Sequence, residues 1–158
     1  MTELGTMSLP YLKLVGVSGT FIANHTGGPA DDTIGVLWGQ LTARIPDLGV
    51  PLNWMIGVTE PVEGGSPFEM SYFAGMVVDE LPADLHGLET YELAGAKYAT
   101  FEHHGPMSKV GESVGRFYAE LLPQSGFVVI GSPHLEVYDE RFTMDDESVF
   151  RFAAPIAE

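Results

Sequence analysis

Cysteine is missing from all 158 residues, which excludes disulfides, thiolate nucleophiles and Cys-ligated zinc or iron–sulfur sites. Basic residues are scarce. Seven Lys and Arg stand against 22 Asp and Glu, giving a net charge of −15 at pH 7 and a pI near 4.4. Nucleic-acid affinity comes mainly from Lys and Arg displacing counterions, so no direct DNA or RNA binding is expected. The same field concentrates cations and basic surfaces, and it also serves solubility. Long apolar runs are lacking too. Phe127-Val128-Val129-Ile130 is among the longest, far short of the ~18 residues of a membrane span, and no membrane association is expected. Glu3 stands where a secretory leader would carry basic residues, so the expectation is a cytoplasmic protein without a signal peptide. What is present is apolar: 45% hydrophobic against 18% charged residues is the composition of a folded chain. At this length a chain buries roughly 68–70% of its unfolded surface, enough for one core. Residues 1–158 therefore read as one domain.

Self-similarity at a fixed period is the next signal. At a shift of 79 residues Leu14-Val15-Gly16-Val17 overlays Leu93-Ala94-Gly95-Ala96. Ile56-Gly57-Val58 overlays Leu135-Glu136-Val137, and Phe73 to Val77 overlays Phe152 to Ile156. Between these anchors a shift of 77 pairs Ile45-Pro46 with Leu122-Pro123 and Gly49 with Gly126. The chain thus reads as two repeats, about residues 8–78 and 88–157. Each opens on an extended stretch rich in β-branched and aromatic residues, Tyr11 to Ile22 and Tyr91 to His103. A loop follows, Asn24 to Asp32 or His104-Gly105-Pro106, and then a helical stripe. Ile34, Leu37, Trp38, Leu41 and Ile45 make the first stripe; Val110, Val114, Phe117 and Leu121 make the second. Pro46/Gly49 and Pro123/Gly126 mark the two helix ends. Two more strands form a hairpin in each repeat, turning at Glu63 to Pro67 and at Thr143 to Glu147. Polar Asp79 to Thr90 links the halves. The expected fold is α+β: a tandem duplication of a β-α-β-β unit, with an antiparallel sheet, two helices and a central ligand groove on the pseudo-two-fold.

The second repeat carries a family likeness. Gly95 to Pro106, Leu122 to Phe127, Leu135 to Phe142 and Pro155-Ile156 resemble the DNA-gyrase-inhibitor-like (GyrI-like) domain, the effector-binding module of some AraC- and MerR-type transcription regulators. The likeness is good over residues 90–156 and looser before them, and Leu135-Glu136-Val137-Tyr138 is its most specific part. It implies a central groove for lipophilic, often cationic, small molecules, with an acid in it; Glu136 is the matching position. This sequence departs from those regulators in carrying no helix-turn-helix segment, so their DNA-binding role does not transfer.

The residues support a groove acid on their own terms. Along Leu135-Glu136-Val137-Tyr138 alternate side chains share a face, so Glu136 and Tyr138 lie opposite Leu135 and Val137. The apolar pair is expected to meet the helices, leaving the carboxylate and the phenol to the groove. A lipophilic cation relieves a desolvated carboxylate by pairing with it, and aromatic walls add roughly 0.5–2 kcal/mol of cation–π attraction. Glu136 has two other readings: a cross-strand ion pair with Arg151, if the hairpin turns symmetrically near Thr143-Met144, or a solvated surface position. The ligand-binding candidates are Glu136 and Tyr138 on this strand, with walls from the other strands at Tyr72, Met70, Tyr98 and Trp54, each of these four equally able to be core. Trp54 follows the parity of Ile56 and Val58, towards the helices, and Trp38 on the helix stripe reads as core.

Other motifs point nowhere. Gly111-Glu112-Ser113-Val114-Gly115 has the nucleophile-elbow spacing, but a helical stripe runs through it where a strand–turn–helix is needed. His103 and His104 are adjacent in a strand and point oppositely, and the histidines show no metal-ligand spacing. Asn24-His25-Thr26 matches a glycosylation acceptor, irrelevant in a cytosolic chain. No glycine loop cradles a phosphate, and no cofactor is expected. The resemblance leaves three functions open: a binding module that senses or sequesters lipophilic cations; a hydrolase of electrophilic small molecules, which some stand-alone relatives of the family resemble, with Glu136 as general base and Tyr138 or Tyr72 polarising a carbonyl; and, as the family's name implies, an acidic module for a protein partner with a basic surface.

Overall fold

The computed structural model describes residues 4–22, 33–65, 69–106, 109–131, 133–139, 142 and 148–157. The expected loop at Asn24 to Asp32 and the second hairpin turn at Thr143 to Glu147 lie outside them. In chain order the elements are β1 (Gly5–Leu9), β2 (Leu12–Ile22), α1 (Thr33–Leu48), β3 (Met55–Pro61), β4 (Glu69–Val78), β5 (Glu89–Leu93) and β6 (Ala96–His104). Helix α2 (Val110–Arg116) runs on through a π turn, Phe117–Leu121, into a last turn, Leu122–Ser125. Strands β7 (His134–Tyr138) and β8 (Val149–Pro155) follow. The expected α+β class is what the chain adopts. Each half carries one short strand ahead of the expected unit, and the run from Tyr91 to His103 breaks at Ala94-Gly95 into β5 and β6.

All eight strands form one antiparallel sheet in the order β1-β6-β8-β7-β3-β4-β2-β5. Exchanging the first four strands for the last four reverses this order into itself, so the sheet has matching halves that meet between β7 and β3. Glu136 stands directly opposite Gly57 in that central pair.

Helix α1 lies on one face because Leu37, Leu41, Ile45 and Leu48 form a buried stripe. Much of that stripe packs against Val15 of β2 and Met76 and Val78 of β4. Gly49, at φ +68°, ends the helix in the left-handed region. On the same face, Phe117 of the α2 run stacks on Phe101 at 6.0 Å and on Phe152 at 6.2 Å. Pro123 cannot donate to the carbonyl of Ala119, and the backbone widens into the π turn immediately before it. Gly126, at φ +83°, closes the run. Ser113 sits inside α2, as the stripe requires, and its hydroxyl donates to Nδ1 of buried His103 at 2.7 Å. The other ring nitrogen of His103 donates to the Pro106 carbonyl at 3.1 Å, tying the start of α2 to the end of β6.

The opposite, helix-free face is equally apolar. A single buried cluster there joins residues of every strand, from Leu9 of β1 and Leu14 of β2 to Val137 of β7 and Ala153 of β8. Strands far apart in the sheet touch through these side chains, so the sheet curls around this face and covers it without a helix. This corrects one expectation: Leu135 and Val137 do not meet the helices but enter the curl, with Ile56 and Val58. The helix side receives the other parity, Glu136 and Tyr138.

Register corrects a second. Phe152, not Arg151, stands opposite Glu136; Arg151 stands opposite Val137. One residue of register turns every side chain to the other face, so no Glu136–Arg151 pair forms. Arg151 reaches Asp139 instead, at 3.4 Å.

Candidate functional site

The two helices lean over the centre of the sheet without closing on each other. Between them lies a cavity of about 620 Å³. One wall is the α1 edge that carries Ile34, Trp38 and Thr42, four residues apart; Gly35 and Gly39 beside them leave that wall thin. Met55 of β3, Val110 of α2 and Phe142 complete the apolar lining, and Glu136 and Tyr138 of β7 form the floor.

The carboxylate of Glu136 is held by a short chain of donors. Tyr72 of β4 donates its hydroxyl to Oε1 at 2.6 Å, and Tyr138 donates to the same oxygen at 3.1 Å. Trp38 donates its indole N–H to the Tyr72 hydroxyl at 3.0 Å. All the hydrogen bonds described for Glu136 thus fall on one oxygen. Burial pushes the Glu136 carboxyl above its ordinary range, and the two phenol hydrogen bonds pull it part of the way back. Burial first, and the Glu136 charge second, hold both phenols well above their usual value, so they remain donors.

Gly57 makes this arrangement sterically possible. A Cβ there would stand 2.0 Å from the Tyr72 hydroxyl and 3.0 Å from Glu136 Oε1. The missing side chain is the space through which the phenol reaches the acid. Rings enclose the site: Trp38 meets Tyr138 edge-on at 5.4 Å, Tyr138 stacks on Phe150 at 4.7 Å, and Phe142 closes on Tyr138 at 4.8 Å. Farther along the same face of β7, Tyr118 donates to Nδ1 of His134 at 2.8 Å, and His134 donates from Nε2 to the Gly131 carbonyl at 2.9 Å. Burial holds His134 below its ordinary value.

Of the residues singled out from sequence, Glu136, Tyr138 and Tyr72 come together, with Tyr72 buried beneath the floor at 1% exposure. The other three do not join them. Met70 shares the face of Tyr72 but sits two residues along β4, opposite Phe21 and Pro61, outside the cavity lining. Tyr98 is fully buried in the curl of the helix-free face. Trp54 follows Ile56 and Val58, as expected, but that parity leads into the curl, where Arg151 lies over its ring at 5.3 Å. Trp38, read as core, is half-buried and belongs to the site. Its signal in the sequence was the line Ile34–Trp38–Thr42 with a glycine beside each of the first two.

An apolar cavity with one oriented acid on an α+β sheet defines a small-molecule-binding domain. The chain belongs to the GyrI-like small molecule binding domain family, which it matches over residues 8–156. It is 29% identical over 135 residues to the transcriptional regulator BrlR of Pseudomonas aeruginosa, covering 84% of this chain and 47% of that protein. The chain therefore spans about half the length of that relative. Among solved structures, SAV2435 bound to tetraphenylphosphonium superposes with a TM-score of 0.74 at 22% identity, over 98% of this chain and 93% of that one. A putative transcription regulation protein from Staphylococcus aureus MU50 gives 0.72 at 20% identity over the whole of both chains. At these identities the superpositions establish the fold.

Proposed function

We propose that this domain senses or sequesters lipophilic cations, with Glu136 as the counter-charge. The observation that carries this reading is the placement of a half-buried carboxylate, with all its described hydrogen bonds on one oxygen, at the floor of an otherwise apolar, aromatic cavity. A carboxylate in such a place is costly while unpaired, and a cation that brings its own apolar surface removes that cost. At ~4 Å and an effective dielectric near 20 the attraction is on the order of 4 kcal/mol before desolvation is set against it. Trp38, Tyr138 and Phe142 offer ring faces worth roughly 0.5–2 kcal/mol more. That SAV2435 has been seen with tetraphenylphosphonium supports the choice of probe.

The hydrolase reading fits less well. It needs a phenol to polarise a substrate oxygen, and the Tyr72 and Tyr138 hydroxyls both donate to Glu136. The test is calorimetric titration with tetraphenylphosphonium and with neutral triphenylphosphine oxide. Micromolar binding of the cation, weakened at least about tenfold by Glu136→Gln (about 1.4 kcal/mol) and absent for the neutral compound, is the expected result. Equal binding of both compounds by both proteins would make the cavity merely apolar and end the proposal.

A further inference from the structure

The helix-free face holds a second cavity, separate from the groove, of about 380 Å³. Met7 and Leu9 of β1, Leu12 of β2, Trp54 and Val77 line it beside the polar Ser8 and Asn53, and Arg151 enters it. Arg151 is placed unusually for a cation in an apolar curl. Its side chain is only 19% exposed, its guanidinium lies over the Trp54 indole at 5.3 Å, and its Nε is buried with no hydrogen-bond partner among the described residues. Asp139 meets Nη2 at 3.4 Å, long for a charged hydrogen bond, and Glu102 stands across from Arg151 on β6, within 3.3 Å of His104. A guanidinium has five N–H donors in a planar fork, and among the described residues one carboxylate, at a long distance, is hydrogen-bonded to it.

We propose that this cavity is a second ligand site, for a molecule with one carboxylate on an apolar tail. The carboxylate would meet the terminal Nη groups of the Arg151 guanidinium, since Nε is buried, and the tail would lie along Met7, Leu12 and Val77. Trp54 covers one face of the guanidinium, which confines an incoming anion to its N–H edge. The site owes nothing to Glu136, which belongs to the other side of the sheet, so the two sites stand or fall separately.

The experiment is calorimetric titration of the full chain with octanoate and with octanol, which shares the tail but has no charge. Octanoate should bind at least about tenfold more tightly than octanol. That preference should vanish when Arg151→Met is combined with Asp139→Asn, which removes both members of the ion pair together. Leu12→Phe, which fills the cavity and spares the ion pair, should weaken both ligands, whereas Glu136→Gln should change neither. Equal affinities for octanoate and octanol, no binding of either at millimolar concentration, or loss of octanoate binding in Glu136→Gln alone would overturn the proposal.

Discussion

Glu136→Gln should make the protein more stable at neutral pH while removing its preference for cations. Burial outweighs the two phenol hydrogen bonds and raises the carboxyl, so the charged form is the one the fold tolerates poorly. A glutamine amide oxygen can accept the same two phenol protons. The exchange gives up roughly 1–3 kcal/mol of charge-assisted hydrogen bonding and removes a desolvation cost of several kcal/mol. Because Glu136 is half-buried rather than sealed, the low end of that cost applies, and the net gain is about 1 kcal/mol, or about 2–4 °C in Tm for a chain of this size. The pH dependence fixes the cause. A carboxyl raised in the folded state keeps its proton after the unfolded chain has lost it, near pH 4.3, so wild-type stability falls as pH rises through the interval up to the raised value. The gap between variant and wild type should be fully open at pH 8 and close towards pH 4. Urea denaturation of both proteins at several pH values measures it, and the other acids cancel in the difference. A saturating cation, at about one hundred times Kd, should add about 2.7 kcal/mol to the wild type and much less to the variant. A variant less stable than wild type at pH 8, or a gap indifferent to pH, would refute the claim that the carboxylate is held against its own solvation.

Two further substitutions probe the geometry. Gly57→Ala places a methyl group where the Tyr72 hydroxyl now lies; a loss of about 1–3 kcal/mol in denaturant midpoints and a displaced Tyr72 phenol in NMR spectra are expected. At Gly39 an added Cβ meets nothing within 4 Å, so Gly39→Ala should stabilise α1 by about 0.5–1 kcal/mol in thermal unfolding. Gly39→Phe at the same position should fill the groove and abolish tetraphenylphosphonium binding in the same calorimetric assay.

Much of this was legible in the sequence because it rests on local rules. Period-3.6 stripes located both helices, with Gly49 and Gly126 at their ends, and period-2 alternation put Glu136 and Tyr138 on one side of β7. Alternation separates two faces without saying which one a helix covers. Here both faces are buried, one by helices and one by the sheet's own curl, so alternation alone does not say that Leu135, Val137 and Trp54 enter the curl. The Glu136–Arg151 pairing failed because it depended on the turn between β7 and β8, where one residue more or less inverts the partner strand. Strand β1, Gly-Thr-Met-Ser-Leu, holds too few β-branched or aromatic residues to register, and β5 reads as one run with β6 across Ala94-Gly95. Trp38 sat on a hydrophobic stripe whose pattern cannot distinguish the buried middle from the margin that borders a cavity.

The central pair of Gly57 and Glu136 has a consequence for polarity. Two identical half-sheets joined edge to edge would have to present the same residue from both sides of their axis. They would hold two glutamates with their Cβ atoms about 4.5–5.5 Å apart, or two glycines and no charge at all. Because both halves lie on one polypeptide, the axis can carry an acid on one side and a vacancy on the other. The near-symmetric frame therefore encloses a chamber with a distinct charged end, and a guest entering it meets a direction, which a symmetric pair could not impose.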